Sequence, residues 1–147
     1  TKNIGTLRGT LFHEIVAQCS YPYQQEEILS YANSYGYALK DYDIKQILAL
    51  NSNALYASWM NEKHVFEQSY IIKEKKQVVH GFMDLVIYKE DEIIIIDFKT
   101  DATDNENKLI DMYAAQLQTY KHSMERITDL PIKTYIYAFS LFKCILL

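Results

Sequence analysis

Two carboxylates and one amine stand in stretches that are otherwise apolar. Asp84 interrupts Val79-His80-Gly81-Phe82-Met83-Asp84-Leu85-Val86-Ile87, and Asp97 and Lys99 lie near the end of Glu92-Ile93-Ile94-Ile95-Ile96-Asp97-Phe98-Lys99-Thr100. Burying a charge without a partner costs several kcal/mol, so such groups are paired or bound to a metal. One chemistry is a structural ion pair of Lys99 with Asp84 or Asp97. The other is a site where two carboxylates hold a hard divalent cation, magnesium or manganese, with the lysine beside it. These residues alone leave both open.

The elements that must position them are strands. Both stretches are rich in Val, Ile and Phe, and the polar joint from Tyr88 to Asp91 suits a hairpin turn. Alternation puts Asp84 on the face of Phe82 and Val86. It puts Asp97 and Lys99 on one face of the second strand, and Ile94, Ile96 and Phe98 on the other. Before this hairpin the expectation is a helical layer. An approach loop and helix run from Gly5 to Gln18, with Thr10 as cap and Leu11, Phe12, Ile15 and Val16 as the apolar side. A second helix spans Tyr21 to Tyr37 with Pro22 in its first turn. A third spans Asp41 to Glu62, broken or bent at Asn51-Ser52-Asn53. His64 to Lys73 reads as a strand, with Glu67 either exposed or turned toward Asp84. After the hairpin, a helix from the Asp101–Glu106 loop to about Arg126 carries Leu109, Tyr113, Leu117, Tyr120, Met124 and Ile127 at a 3.6-residue period. Gln116 shares a face with Tyr113 and Tyr120. Lys133 to Phe139 reads as a further strand. The order predicts an α/β domain with a mixed central sheet flanked by helices and a helical N-terminal segment.

Length and composition bound the function. A chain of 147 residues, 49% apolar and 23% charged, makes one domain with a real core. The expected division is 1–62 as a mainly helical layer and 63–147 as the catalytic sheet with its flanking helix. The start at Thr1 without methionine and the apolar finish at Ile145-Leu146-Leu147 read as a domain cut from a longer polypeptide. The net charge of −4 is not the basic footprint usual for nucleic-acid binding, although a cation would offset part of it. Cys19 and Cys144 form no metal motif, and one disulfide between them is open. There is no apolar run of transmembrane length and no signal peptide, so no membrane partner is expected and a cytoplasmic location is.

Four motifs fall in order: Gly9-Thr10-Leu11-Phe12-His13, Gly81-Phe82-Met83-Asp84, Asp97-Phe98-Lys99-Thr100, and Tyr113-x-x-Gln116-Leu117-x-x-Tyr120. Together they resemble the RecB-like branch of the PD-(D/E)XK nucleases, over nearly the whole chain. The run Asp97 to Asp101 leading into the Tyr/Gln helix is most similar to the C-terminal nuclease domain of AddA-type helicase–nuclease subunits. The resemblance implies a restriction-endonuclease-like core and a metal-dependent DNA exonuclease acting in double-strand-break repair and recombination. It implies His13, Asp84, Asp97 and the backbone carbonyl of Phe98 as ligands of Mg2+ or Mn2+, with Lys99 catalytic. Gln116 and Tyr120 would close the site and contact DNA, with Tyr113 assisting and Glu67 a weaker match. The implied partners are single-stranded DNA, a helicase region of the same parent chain and a second helicase–nuclease subunit.

Departures narrow the match. Two cysteines cannot hold the iron–sulfur cluster of some branches, and no phosphate-loop motif is present, so this piece is not the motor. Arg8, Lys108, Lys121 and Arg126 are the candidates for gripping the DNA backbone. Two alternatives remain: a nuclease-like module that binds without cutting, and a stand-alone phage-type exonuclease.

Overall fold

The computed structural model describes residues 4–147. Helix α1 covers Ile4–Gln18, α2 Gln25–Ser34, α3 Asp41–Leu48 and α4 Ala54–Met60, with a 3-10 turn at Ala49–Ser52 between the last two. Strand β1 spans Lys63–Glu74, β2 Gln77–Tyr88 and β3 Ile93–Lys99. Helix α5, Glu106–Glu125, crosses to β4, Ile132–Ala138, and a short 3-10 turn leads to β5, Lys143–Leu146. The sheet runs in chain order, β1-β2-β3-β4-β5. All pairs are antiparallel except β3 with β4, the pair that α5 connects. This is the mixed sheet flanked by helices that the sequence predicts.

Strand β3 is buried from Ile93 to Phe98 because both faces are covered. Ile94, Ile96 and Phe98 pack with Leu85, Ile87 and the buried residues of α1 to α4. Ile93 and Ile95 pack with Leu109, Leu117, Tyr120 and Met124 of α5. Asp97 and Lys99 therefore face the α5 side, as alternation requires.

Several local expectations are corrected. Helix α1 is continuous through Thr10, so Thr10 is not its cap; the apolar face Leu11-Phe12-Ile15-Val16 holds the whole stretch helical. Helix α2 starts at Gln25, and Pro22 precedes it in a cis peptide bond with Tyr21. The side chain of Asn51 holds this approach segment, accepting from Tyr23 N–H and donating to Tyr23 O, both at 2.8 Å. Ile127 lies past the end of α5 and is exposed. The break at Asn51–Asn53 is real, and the Asn53 side chain caps α4 by accepting from Tyr56 N–H. Cys19 and Cys144 are both free thiols. Among the described residues no helix is long and apolar enough to cross a membrane.

Candidate active site

The sheet splits at the two acids. The β2–β3 ladder runs from Tyr88↔Ile93 to Leu85↔Ile96 and stops there. One more step of the same register sets Asp84 opposite Asp97, where their carboxyl groups meet instead of a ladder bond. Asp84 Oδ2 takes the freed backbone donor, accepting from Phe98 N–H at 2.8 Å. Beyond the split β2 continues only with β1, paired out to Glu74↔Gln77. Glu67, at the matching gap in the β1–β2 ladder, has a positive φ of 54° and an exposed side chain. It does not join Asp84.

The opening is closed from above by α1. Gly9 permits the close approach, since a Cβ there would lie 3.1 Å from Thr100 Oγ1. Arg8 fastens the same contact: its guanidinium donates to Asp43 Oδ1 at 2.9 Å, Gln46 Oε1 at 2.7 Å and the carbonyl of Thr100 at 3.2 Å. It also lies 4.4 Å from the Phe12 ring centre. Arg8, expected as a grip on DNA, is instead a structural tie between α1, α3 and the end of β3, with Asp43 and Gln46 buried beneath it. The tie puts His13 over the strand. His13 Nε2 donates to Phe98 O at 2.8 Å and lies 3.5 Å from Asp84 Oδ2.

On the other side, Lys99 Nζ lies 2.8 Å from Asp97 Oδ2. That oxygen is buried and meets no aligned donor, so the contact is coulombic rather than a formed hydrogen bond. The amine donates to Gln116 Oε1 at 3.1 Å and sits 3.9 Å from the Tyr113 ring centre. Gln116 Nε2 donates to Tyr120 Oη at 2.9 Å. Tyr113 Oη donates to Asp101 Oδ2 at 2.8 Å. Tyr120 is buried, its ring 5.4 Å from that of Tyr70. Gly81 makes room for Tyr70, whose hydroxyl would meet a Cβ at 2.6 Å. A larger residue in place of this glycine would have to push aside a tyrosine across the hairpin.

Burial raises the Asp84 carboxyl to about 8, and the neighbouring Asp97 adds to the rise. Burial, and then the same two carboxylates, also push the Tyr120 phenol up. The two acids are buried side by side with one amine against Asp97 Oδ2, and a divalent cation would supply further positive charge between them. The carboxylates, the Phe98 carbonyl and an imidazole are oxygen and nitrogen donors suited to magnesium or manganese. Among the described residues, no group of three or more His, Cys, Asp or Glu side chains is already spaced as a metal cage. Two of the donors are turned onto each other: the His13 Nε2 proton is spent on the Phe98 carbonyl, and would have to sit on Nδ1 for Nε2 to ligate.

His13, Asp84, Asp97, Phe98, Lys99, Gln116, Tyr120 and Tyr113 thus converge, whereas Glu67 does not join them and Arg8 lines the same opening as a structural tie. Arg126 lines a cavity at the hairpin tip with Lys73, Lys75 and Lys76, on residues remote in sequence from the site. Sequence reasoning missed Asp43, Gln46 and Tyr70, the supports of the site. A glycine in register with a tyrosine, Gly81↔Tyr70, was the one available signal.

Comparison with known proteins identifies the family. A family model described as "PD-(D/E)XK nuclease superfamily" matches residues 2–140. Relatives named as subunits of an ATP-dependent helicase/nuclease include one from Syntrophomonas wolfei, 29% identical over 107 residues, covering 65% of this chain and 9% of the relative. One from Ligilactobacillus salivarius is 39% identical over 75 residues, covering 50% and 6%. One from Clostridium botulinum is 31% identical over 71 residues, covering 48% and 6%. The chain therefore spans less than a tenth of the length of these relatives. A crystal structure of protein VC1899 from Vibrio cholerae overlaps at a TM-score of 0.42 and 11% identity, over 92% of this chain and 42% of that one, a likeness too loose to bear on function. By the match along nearly its whole length, the chain belongs to the PD-(D/E)XK nuclease superfamily.

Proposed function

We propose that the chain is a divalent-metal-dependent deoxyribonuclease, an exonuclease domain hydrolysing phosphodiester bonds in single-stranded DNA. Its context would be a helicase–nuclease, as the relatives' names suggest, and we place that assembly in the cytoplasm and in double-strand-break repair and recombination. The helicase region would belong to the same polypeptide, and the partner would be a second helicase–nuclease subunit. Residues 1–147 would form one nuclease domain, with 1–62 as its helical layer. The observation that carries this reading is the buried Asp84–Asp97 pair at the split of the sheet, with Asp97 Oδ2 lacking an aligned donor beside Lys99.

Asp84, Asp97, the Phe98 carbonyl and His13 would hold Mg2+ or Mn2+. Once bound, the ion supplies Lewis acidity toward a phosphate oxygen and makes a nearby water easier to deprotonate. The protein's own residues do the positioning. Lys99 presents an ammonium at the rim of the carboxylates, where it stabilises negative charge developing on the phosphate. Gln116 sets the direction of that amine from one side, and the Tyr113 ring covers it. Tyr120 anchors Gln116 from the core.

The test is magnesium- or manganese-dependent cleavage of single-stranded DNA by the wild type, Asp97→Ala and Lys99→Ala. Both variants should lose about a hundredfold or more of the rate. Equal rates in all three would remove the catalytic assignment. Manganese calorimetry accompanies it: uptake by the wild type and not by Asp97→Ala is expected, and no uptake by either supports a non-cutting module.

A further inference from the structure

We infer that a trough leading away from the catalytic residues is a stacking channel for single-stranded nucleic acid, with Tyr42 and Phe142 as its two base platforms. The inference rests on the nuclease reading and deepens it. Two cavities, of about 730 and 650 Å3, share Arg8, Tyr42, Thr100 and Ala102. The first opens on His13, Phe98 and Lys99. The second continues past Thr103 and Lys108 to Ser140 and Phe142. They make one path from the proposed scissile position across the tie of α1 to the β4–β5 turn.

The lining of this path fits a polynucleotide. Tyr42, on α3, is 52% exposed, and Phe142, in the turn before β5, is 44% exposed. The Arg8 guanidinium lies 5.4 Å from the Tyr42 ring centre and is itself fixed by Asp43 and Gln46, so a held cation steadies a ring that stays half exposed. Phe142 is held outward by a left-handed backbone, φ 54°, in the tight turn between β4 and β5. Ser140 Oγ donates to Thr103 O at 2.8 Å and ties two lining segments of the second cavity together. Rings spaced along a groove bind single strands with little sequence preference, because every base has a π face. Lys108 supplies a cation beside the path, and Asp104 limits the positive field, so stacking rather than charge carries the contact. Continuity with the catalytic residues favours the DNA strand itself over a protein segment as occupant.

The experiment measures binding of fluorescein-labelled oligo(dT), about two and about twelve nucleotides long, by anisotropy with EDTA present so that nothing is cut. In the wild type the longer strand should bind more tightly. Tyr42→Ala and Phe142→Ala should each weaken the longer strand about fivefold or more and leave the short one nearly unchanged. Tyr42→Phe, which keeps the ring, should bind as the wild type does. Alanine variants that bind the long strand as tightly as the wild type overturn the channel, as does a Tyr42→Phe chain as weak as Tyr42→Ala. In both cases metal-dependent cutting by the wild type leaves the nuclease reading standing. A wild type that neither binds these strands nor cuts DNA with magnesium or manganese removes both.

Discussion

Asp84 shows how one side chain records the tension in the site. Its carboxyl is pushed to about 8, first by burial and then by Asp97, against an ordinary value of 3.8, while the Phe98 N–H works in the opposite direction. Between those values the folded chain holds a proton that the unfolded chain has released. The stabilisation this gives is complete below the unfolded value and is lost as pH rises through about 8. In EDTA, the melting temperature should therefore fall between about pH 5 and about pH 8, and Asp84→Asn should flatten that slope. A wild-type slope matching that of Asp84→Asn would show that the acid is not desolvated as the structure has it. The types and faces of Asp84, Asp97 and Lys99 were legible in the sequence, because a two-residue period dictates them. The His13 contact was visible only through the motif resemblance, since α1 lies 85 residues from its partner carbonyl at Phe98.

At the scale of elements, periodic segments were read well and irregular joints poorly. The β2–β3 hairpin and α5 follow from alternation and from a 3.6-residue stripe, both local properties. The start of α2 after Pro22 depends on a distant side chain, Asn51, and the left-handed backbone at Glu67 follows from no local pattern. The tie made by Arg8 is the clearest case. No local pattern distinguishes it from a solvent-exposed arginine, yet its side chain joins α1 to α3 and to the carbonyl of Thr100, next to Lys99. Asp43 is buried beneath it, so Arg8→Ala leaves a charge without its partner and should cost about 3–5 kcal/mol in a denaturant titration. Adding Asp43→Ala should recover part of that loss, because the unpaired charge is then gone. If the two losses simply add, the pair is not coupled and α1 is held by its apolar face alone.

For the molecule as a whole, the proposed ligands come from different layers. His13 belongs to the helical layer, whereas Asp84, Asp97 and Phe98 belong to the sheet. A cation held by all of them joins the layer to the sheet and binds only the folded chain, so it must stabilise folding by mass action. At a free metal concentration one hundred times Kd the gain is about 2.7 kcal/mol, several degrees in a melt of a chain this size. Manganese should raise the melting temperature of the wild type above its value in EDTA. Asp97→Ala should lose the shift, since it removes the deepest of the proposed donors. His13→Ala should keep part of it, since the two carboxylates and the carbonyl remain. Superimposable wild-type melts in manganese and EDTA would mean that these donors do not act on a common ion, and the net charge of −4 would then simply be the surface balance of a protein that binds no cation.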